Sequence, residues 1–585
     1  MTAAEVRSLM LDAVSKNGGH LASSLGAVEL AIALSESFDP VKDRIVWDVG
    51  HQAYAWKILT GRAEAFGTLR KLGGVSGFPN PAESPADAAV AGHAGVAISI
   101  AEGLASARDR RGTDEQVVAV IGDSSIVNGT SFEALNNLAS ATKKLIVVLN
   151  DNDMAISRPT GSISRLLGRL TSGAGYNRVK SAAKKAGRAM RLSFAYGLVH
   201  WTKSRLKSMF LRNTVFEQFG LHYLGPVDGH DVGALKAALA VAKSEERSVL
   251  LHVVTKKGKG YGPAERNPTK WHGTGPFFLE SAESRGAAAP EGSVSWSYAF
   301  GTALRELARE DGRVVALTAA MKDGTGLAGF AEEFPDRFQD VGIAEGHMTA
   351  FAAGLAAGGM RPVVAVYSTF LQRAVDQVIH DVAISKLPVV FCVDRAGVVG
   401  ADGVTHQGVF DIALLRAVPN LTIAQPKDAE DLKELLREAL LRDGPTVIRY
   451  PRGKTPRTLR PDRPDVSAPR FALWATGDWY GKACEVAARL GGVAVHARYL
   501  KPFDAELLAA QRAAGMKIVS LENGTVVGGL GEAVGAELRF GWPDEFVPHG
   551  SQSELERKYG LDVDSIVAAI AGDPAFGVTV REKGK

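Results

Sequence analysis

The chain has 585 residues, enough for three or four domains, and its 46% hydrophobic and 23% charged residues argue against a disordered, collagen-like or multi-span membrane protein. Its formal net charge of +4 is unevenly distributed, because residues 154–216 contain thirteen Lys or Arg and no Asp or Glu. Those thirteen charges subtracted from +4 leave −9 for the remainder. We therefore interpret the protein as mildly acidic with one basic insert, at about residues 158–215.

Short β-branched apolar runs alternate with helical patterns along the chain. The runs at 116–123 and 144–151 predict buried strands, and residues 131–141 between them predict a helix, which together form a βαβ unit with parallel strands. Similar runs predict further strands at 314–318, 362–367, 388–394, 446–450, 493–499 and 517–522. The pattern predicts an α/β fold with mostly parallel sheets flanked by helices.

Two linker-like stretches, at 280–294 and 455–469, are rich in small, proline or charged residues. They divide the chain into three predicted α/β domains at 1–282, 290–455 and 470–585. The basic insert falls in the first domain.

Cysteine content and apolar patterning indicate the compartment. Cys392 and Cys484 are too few for a disulfide framework, and Cys392 lies in an apolar run that predicts a buried free thiol. No signal-peptide core and no apolar run of ~18 residues is present. We predict a cytoplasmic protein with no transmembrane segment, and the absence of a recognition motif argues against nucleic-acid binding.

Polar residues follow two predicted strands that one βαβ crossover would place side by side. The first strand ends at Gly122-Asp123, and Asn152 follows the second, 29 residues after Asp123. Ligands of open parallel sheets bind at the carboxyl ends of strands, and carboxylate and amide oxygens suit Mg²⁺. The alternative is that Asp123 caps the next helix and Asn152 forms a turn.

This spacing resembles the pattern by which thiamine diphosphate enzymes hold Mg²⁺ and diphosphate. Longer segments resemble one family of that superfamily, the 1-deoxy-D-xylulose-5-phosphate synthases, over about residues 5 to 575. They are 48–54 (DVGHQAY), 132–137 (FEALNN), 149–156 (LNDNDMAI), 225–231 (GPVDGHD), 367–374 (YSTFLQRA), 394–408 (DRAGVVGADGVTHQG) and 449–453 (RYPRG).

The resemblance implies a transketolase-like fold and a set of residues for thiamine diphosphate and Mg²⁺. The metal would be held by the side chains of Asp123 and Asn152 and by the backbone carbonyl of Met154. A histidine in an apolar protein is more often structural, so this alternative stays open for the histidines. The residues expected around the cofactor are His51, Gly92, His93, Ala94, Asp123, Ser124, Ser125, Asn152, Tyr261, Glu345 and Phe370.

Glu345 matches the family's catalytic glutamate, which bonds a ring nitrogen of the aminopyrimidine so that the cofactor's exocyclic nitrogen can take the proton from C2 of the thiazolium. Phe370 would stack on the pyrimidine. From the residues alone, the favoured interpretation of Glu345 is an acid at a helix start, where the macrodipole stabilises it. Phe370 is also compatible with a core aromatic, and the two roles do not exclude each other.

Arginines after two predicted strands suit a phosphate, because the guanidinium is always charged and binds bidentately. For either arginine taken alone, a surface salt bridge is the favoured interpretation. The resemblance implies that Tyr367, Arg373, Arg395, Asp402 and Arg452 bind substrate and that His20, His272, His406 and Asp402 act with Glu345 in catalysis, since histidine moves protons near neutral pH.

The implied reaction joins pyruvate to D-glyceraldehyde 3-phosphate with loss of CO₂ and gives 1-deoxy-D-xylulose 5-phosphate. It would be the first step of non-mevalonate isoprenoid synthesis, and its product would also feed the synthesis of thiamine and pyridoxal phosphate. The alternatives are a transketolase-like paralog with a ketose donor and a catalytically weakened paralog. The family is expected to be homodimeric.

This chain departs from the family at Ser124, where glycine is usual, and at Ala94 and Gly346, where larger polar or hydroxyl residues are usual. Ser124 would either strain a positive φ or place its hydroxyl on the diphosphate. The basic insert is either a solvated loop or a basic lid that attracts anionic substrates.

Overall fold

The computed structural model describes residues 1–152, 215–285, 292–460 and 468–580, and these form two units. The first unit comprises Met1–Leu69 and Gly77–Arg285, and the second comprises Arg70–Ser76 and Gly286–Lys585. Residues 70–76 thus belong to the second unit although their chain position assigns them to the first predicted domain. The division into three domains stays a prediction. The basic residues of the predicted insert, and Met154, lie outside the described residues.

The first unit is built on a five-stranded parallel sheet of order β1-β2-β3-β5-β4. Its strands are β1 (Arg44–Trp47), β2 (Val117–Gly122), β3 (Ile146–Asp151), β4 (His222–Asp228) and β5 (Val249–Val254). Its helices are α1 (Ala3–Asn17), α2 (Leu21–Gly26), α3 (Val28–Ser37), α4 (Tyr54–Lys57), α5 (Ala97–Arg111), α6 (Gly129–Ala141), α7 (Val215–Gln218), α8 (Val232–Ser244) and α9 (Gly262–Arg266).

The second unit contains a seven-stranded sheet of order β16-β11-β12-β10-β9-β7-β8, a four-stranded parallel sheet of order β15-β14-β17-β18 and a two-stranded antiparallel ribbon of β6 and β13. The strands are β6 (Ser293–Ser295), β7 (Val314–Thr318), β8 (Phe338–Asp340), β9 (Arg361–Tyr367), β10 (Val390–Asp394), β11 (Thr422–Ala424), β12 (Thr446–Arg449), β13 (Lys454–Pro456), β14 (Phe471–Ala475), β15 (Val493–His496), β16 (Tyr499–Lys501), β17 (Lys517–Thr525) and β18 (Leu538–Trp542).

The helices of the second unit alternate with these strands along the chain, and the last two follow β18. They are α10 (Trp296–Glu310), α11 (Ala328–Glu333), α12 (Glu345–Ala357), α13 (Ser368–Leu371), α14 (Val375–Gln377), α15 (Asp411–Arg416), α16 (Ala429–Leu441), α17 (Tyr480–Leu490), α18 (Ala505–Ala513), α19 (Leu530–Ala533), α20 (Gln552–Lys558) and α21 (Val563–Gly572).

Side-chain burial explains why the apolar runs form central strands. Every residue of β3 and β10 is buried, as expected for strands of a parallel sheet covered on both faces. Polar N-caps start the helices beside them: the side chain of Asn128 accepts a hydrogen bond from Thr130 N at the start of α6, and that of Ser295 accepts one from Tyr298 N at the start of α10. The predicted α/β fold with mostly parallel sheets is confirmed.

One predicted strand is wrong in extent. Residues 493–499 were expected to form a single strand, but the structure divides them between β15 and β16. A tight turn separates the two, in which Arg498 N donates to His496 O at 2.8 Å. Beyond the turn, β16 leaves the four-stranded sheet and pairs antiparallel with β11 of the larger sheet.

Two sequence predictions about burial and membranes can be compared with the structure. Cys392 is fully buried as a free thiol, as predicted, and Cys484 is buried as well. Within the described ranges, no helix combines the length and the apolar character needed to cross a bilayer.

Candidate active site

The carboxyl ends of β2 and β3 place Asp123 and Asn152 at one edge of the first sheet. The two strands are parallel neighbours, with Gly122 opposite Asn150, so the residues that follow them emerge at adjacent positions. The α6 crossover between the strands is the βαβ unit that the sequence predicts.

The polar atoms at this edge suit a hard cation bound to phosphate. Asp123 is 8% exposed, and its Oδ1 accepts a hydrogen bond from Ser124 N at 2.9 Å. Asn152 Oδ1 and Ser124 Oγ are buried and have no hydrogen-bond partner among the described residues. A carboxylate, an amide oxygen and a hydroxyl form the oxygen donor set that Mg²⁺ prefers, with phosphate oxygens completing its shell. The residues present therefore fit a Mg²⁺–diphosphate group.

Two further observations concern this edge. Ser124 does not have a positive φ, so its backbone is not strained by the replacement of the usual glycine. Burial lowers the pKa of Lys257, and the charge of the nearby Asp123 carboxylate opposes that shift. Within the described ranges, no three His, Cys, Asp or Glu residues cluster as metal ligands.

Asp48, which sequence reasoning did not single out, holds the loop that carries Gly92, His93 and Ala94. Its carboxylate accepts hydrogen bonds from Gly95 N at 2.9 Å and from the next two backbone N–H groups at 3.1 Å, at the start of α5. Burial raises the pKa of Asp48, and hydrogen bonds from Ser125 and this backbone oppose the shift. Asp48 lies in the segment DVGHQAY, which was the available signal.

Three histidines that the sequence placed far apart meet in the first unit. The ring centroids of His20 and His51 are 6.0 Å apart, those of His20 and His272 5.8 Å, and those of His51 and His272 5.1 Å. Gly19 and Thr274 exchange backbone hydrogen bonds of 2.8 and 2.9 Å, which brings the segments of His20 and His272 together.

Burial gives His272 an unusual pKa. Desolvation, with a smaller contribution from the positive charge of Lys257, lowers that pKa to about 3. Ser23 Oγ lies 3.3 Å from His272 Nδ1. His272 is therefore a neutral imidazole at physiological pH, with one ring nitrogen that can donate a hydrogen bond and one that can accept.

Tyr261 is placed beside the segment of His272 by aromatic packing. Its ring meets that of Trp271 edge-on at 5.4 Å, and its hydroxyl donates to Leu279 O at 3.1 Å. Tyr261 thus packs against Trp271, the residue that precedes His272 in the chain.

Glu345 is the first residue of α12, and its carboxyl group is buried. The residue is 4% exposed, and its Oε2 has no hydrogen-bond partner among the described residues, with Arg373 Nη1 3.9 Å away. Burial raises the pKa of Glu345, and Arg373 partly opposes the shift. A buried carboxyl with an unsatisfied oxygen differs from the exposed acid expected of a simple helix start, and it suits a hydrogen bond to a ligand.

Three rings, those of Tyr367, Phe370 and His406, pack together at the carboxyl end of β9. Phe370 stacks on Tyr367 with ring centroids 5.6 Å apart and meets His406 edge-on at 5.6 Å. The guanidinium of Arg395 lies 3.7 Å from the centre of the Tyr367 ring, a cation–π contact. Arg395 has a φ of 61°, so the chain turns sharply after β10 to place this guanidinium.

Asp402 joins two arginines, one of which sequence reasoning missed. Its Oδ1 accepts from Arg70 Nη2 at 2.6 Å and its Oδ2 from Arg452 Nη1 at 3.1 Å. Nothing in the local sequence around Arg70 indicates this contact, because the partner lies more than 300 positions along the chain. The pair of Arg395 and Arg452, both close enough to Tyr367 to affect its pKa, forms the cationic part of this region.

Asp394 is a second residue that was missed. It is buried at the end of β10 and accepts a hydrogen bond from Ser297 Oγ at 2.6 Å. Desolvation raises its pKa to about 6, although Arg395 lowers it. The Asp394 carboxyl group therefore lies close enough to Arg395 and Arg452 for their charges to affect its pKa.

Comparisons with known proteins identify a family that spans most of the chain. The family described as 1-deoxy-D-xylulose-5-phosphate synthase matches residues 1–255, and the transketolase pyrimidine binding domain matches residues 292–458. The chain is 46% identical to the 1-deoxy-D-xylulose-5-phosphate synthase of Oleidesulfovibrio alaskensis, over 95% of this chain and 92% of that protein. It is 47% identical to the protein of that name from Symbiobacterium thermophilum, over 96% and 90%. The solved transketolase of Campylobacter jejuni is 19% identical, over 98% and 99%, with a TM-score of 0.44.

Proposed function

The chain belongs to the 1-deoxy-D-xylulose-5-phosphate synthase family, and we propose that the residues described above carry out the reaction of that family. In this reaction, pyruvate and D-glyceraldehyde 3-phosphate condense with loss of CO₂ to 1-deoxy-D-xylulose 5-phosphate. The observation that carries the proposal is the 46% identity to a relative of that name over 95% of the chain. The ketose-donor and weakened-paralog alternatives are not favoured.

Membership of this thiamine-dependent family implies thiamine diphosphate as the cofactor, and bound thiamine diphosphate supplies the nucleophilic carbon and the electron sink for decarboxylation. We propose that Mg²⁺ accompanies it, held by Asp123, Asn152 and the carbonyl of Met154. The unsatisfied Asn152 Oδ1 and Ser124 Oγ support this assignment. The loop at Gly92, His93 and Ala94, with Ser125, His51 and Tyr261, completes the proposed cofactor set.

Glu345 is proposed to hold a proton for a ring nitrogen of the cofactor. Its raised pKa favours the protonated carboxyl, which donates a hydrogen bond from a buried position. Phe370, held between Tyr367 and His406, provides an aromatic face for the same ring. These residues position and protonate, and the protein thereby prepares the bound group for reaction.

His20 and His272 are proposed to act with Glu345 in catalysis, at the substrate oxygens. Because its pKa is lowered to about 3, His272 stays neutral at physiological pH and would act there through hydrogen bonds, with one ring nitrogen as donor and the other as acceptor. In the second unit, His406 lies next to Thr405, whose Oγ1 is 2.8 Å from His406 Nδ1, and we propose it as a further proton-transfer residue.

Arg395 and Arg452 are proposed to bind the phosphate of the aldehyde. Guanidinium groups match phosphate geometry bidentately. Tyr367 supports Arg395 by stacking, Asp402 orients Arg452, and Arg373 lies near Glu345.

The test is an assay with thiamine diphosphate and Mg²⁺. We expect CO₂ release and formation of 1-deoxy-D-xylulose 5-phosphate from pyruvate and D-glyceraldehyde 3-phosphate, and no two-carbon transfer from a ketose phosphate. Absence of CO₂ release, or efficient use of the ketose, would overturn the proposal.

We also propose that the protein is a cytoplasmic homodimer, on the expectation that the family provides. Light scattering is expected to give twice the 61.9 kDa chain mass, and cell fractionation is expected to place the protein in the cytoplasmic fraction. A monomeric mass would contradict the first expectation, and recovery in another fraction the second.

A further inference from the structure

Three residues proposed above for substrate lie on one loop that follows β10. Arg395 stacks on Tyr367, Asp402 accepts a hydrogen bond from Arg452, and His406 contacts Phe370. Two backbone hydrogen bonds of 2.7 Å, between Gly397 and Gly408 in both directions, close the neck of the loop. We call residues 395–408 the acceptor loop. The two neck bonds fix only Gly397 and Gly408. The conformation of the residues between them depends on contacts with other parts of the chain.

Both backbone polar groups of Val398, inside the neck, are bonded to amide side chains from the last part of the chain. Val398 N donates to Asn523 Oδ1 at 3.2 Å, and Val398 O accepts from Gln552 Nε2 at 2.6 Å. Asn523 lies on β17 of the four-stranded sheet, and Gln552 begins α20. At Gly397, with a φ of 79°, an added Cβ would collide with the Asn523 side chain. The neck of the loop therefore fits closely against Asn523.

The orientation of the Asn523 amide is determined by other partners. Trp542 Nε1 donates to Asn523 Oδ1 at 2.9 Å, and Asn523 Nδ2 donates to Asp478 Oδ2 at 2.7 Å. The residue is 5% exposed, so its hydrogen bonds are protected from water. With both ends of the amide assigned, the acceptor atom for Val398 N is held in one place.

A third amide strengthens the same attachment from the loop side. Gln407 Oε1 accepts from Val399 N at 2.7 Å, and Gln407 Nε2 donates to Pro548 O at 3.1 Å. The loop is thus bonded to the last part of the chain on both sides of its neck.

We propose that Asn523 and Gln552 are positioning residues for the phosphorylated aldehyde. They fix the backbone of Val398, and Val398 lies between Arg395 and Asp402 in the chain, so they also fix where these two side chains start. This inference rests on the proposed function of those two residues. Bidentate phosphate binding requires a fixed guanidinium plane, and a small misplacement of a binding group costs much of its effect. Both positioning residues bond the loop at Val398, whereas the proposed cofactor residues of the second unit, Glu345 and Phe370, lie on α12 and α13, so cofactor affinity is expected to be unaffected.

The experiment compares aldehydes with and without a phosphate, using the holoenzyme. For Asn523→Ala and Gln552→Ala, and for the double variant, we measure KM and kcat for D-glyceraldehyde 3-phosphate, D-glyceraldehyde and pyruvate. We expect KM for the phosphorylated aldehyde to rise about tenfold in the double variant, the effect of one or two lost hydrogen bonds. The preference for the phosphorylated over the unphosphorylated aldehyde should fall by the same factor, with KM for pyruvate and thiamine diphosphate affinity unchanged.

Trp474→Phe is the matched control. It removes a buried indole hydrogen bond that starts from the same four-stranded sheet, from Trp474 Nε1 to Gln511 Oε1 at 2.8 Å, and leaves the bonds of Asn523 and Val398 in place. It should therefore lower the unfolding temperature without changing the phosphate preference. Because Gln552 is exposed, Gln552→Ala decides the question if Asn523→Ala does not fold. An unchanged phosphate preference in the folded variants, or an equal loss in Trp474→Phe, overturns the inference. A wild type without condensation overturns the proposed function as well.

Discussion

The imidazole rings of His51 and His272 lie 5.1 Å apart, and burial lowers the pKa of His272 to about 3. The β-bridge between Gly19 and Thr274 joins the two chain segments that contain His20 and His272, and so brings the ring of His20 close to the other two. Three imidazoles, at least one of them held neutral, therefore form a compact group in the first unit. This arrangement has a consequence for the pH dependence of stability.

We predict that the His272 side chain makes the protein less stable as pH falls below about 6.5. The unfolded chain binds the proton near pH 6.5 whereas the folded chain does so only near pH 3, so the contribution is complete above 6.5 and is lost between these values. Between pH 7 and 5, this loss amounts to about 2 kcal/mol. Urea unfolding of wild type and of His272→Gln at both pH values measures it.

The two proteins are compared at each pH because other groups titrate in the same range. His272→Gln is expected to lose about 2 kcal/mol less than wild type between pH 7 and 5. Equal losses in both proteins would mean that His272 is not held neutral.

For Glu345→Gln, we predict a fall in kcat of about 100-fold to 10,000-fold, since the buried carboxyl is the proposed proton carrier for the cofactor ring. Thiamine diphosphate affinity, read from quenching of tryptophan fluorescence, should change much less. Glu522→Gln is the control, because burial raises the pKa of Glu522 to about 7 while its carboxylate bonds the backbone at Leu530 and Gly531. Turnover retained in Glu345→Gln would refute the assignment.

For Asp123→Asn and Asn152→Ala, we predict that the Mg²⁺ concentration for half-maximal thiamine diphosphate binding rises at least about tenfold, because each removes a proposed metal ligand. Fluorescence titration with Mg²⁺ at fixed cofactor measures this. Asp228→Asn serves as the control, since Asp228 ends an outer strand of the same sheet and is exposed. A response of Asp228→Asn equal to that of the others would point to a general charge effect.

For Asp48→Ala, we predict a loss of about 1–3 kcal/mol of folding free energy, because backbone N–H groups at the start of α5 lose their acceptor. Thiamine diphosphate affinity should fall with it, since the same loop carries Gly92 and His93. Asp39→Ala is matched, as Asp39 accepts from two backbone N–H groups in an exposed turn where water can replace it. Urea unfolding compares the two, and equal stability changes would contradict the prediction.

The strands that carry Asp123, Asn152 and Arg395 could be predicted because a strand signal is local. A run of β-branched residues with polar residues at its end identifies both the strand and the edge at which its ligands lie. Register then follows from the parallel βαβ connection, which places Gly122 opposite Asn150. The strand at 493–499 was predicted wrongly for the converse reason: pairing of β16 with β11 depends on a distant strand that local pattern does not reveal.

The site residues themselves were identified through family resemblance, and their roles remain proposals. Spacing alone left Asp123 as either a metal ligand or a cap, and Glu345 as either a catalytic acid or a helix start. The burial of Glu345 with an unsatisfied oxygen adds physical support that no sequence pattern contains.

The amino-acid sequence is sufficient for the α/β class, the strand ends that carry polar residues, and the family, because these follow from short-range patterns and matching segments. The contact of Arg70 with Asp402, and the attachment of Val398 to Asn523 and Gln552, follow only from tertiary packing. Each joins residues more than 100 positions apart, and a side chain's partner at that separation is set by how the elements pack and not by periodicity along the chain.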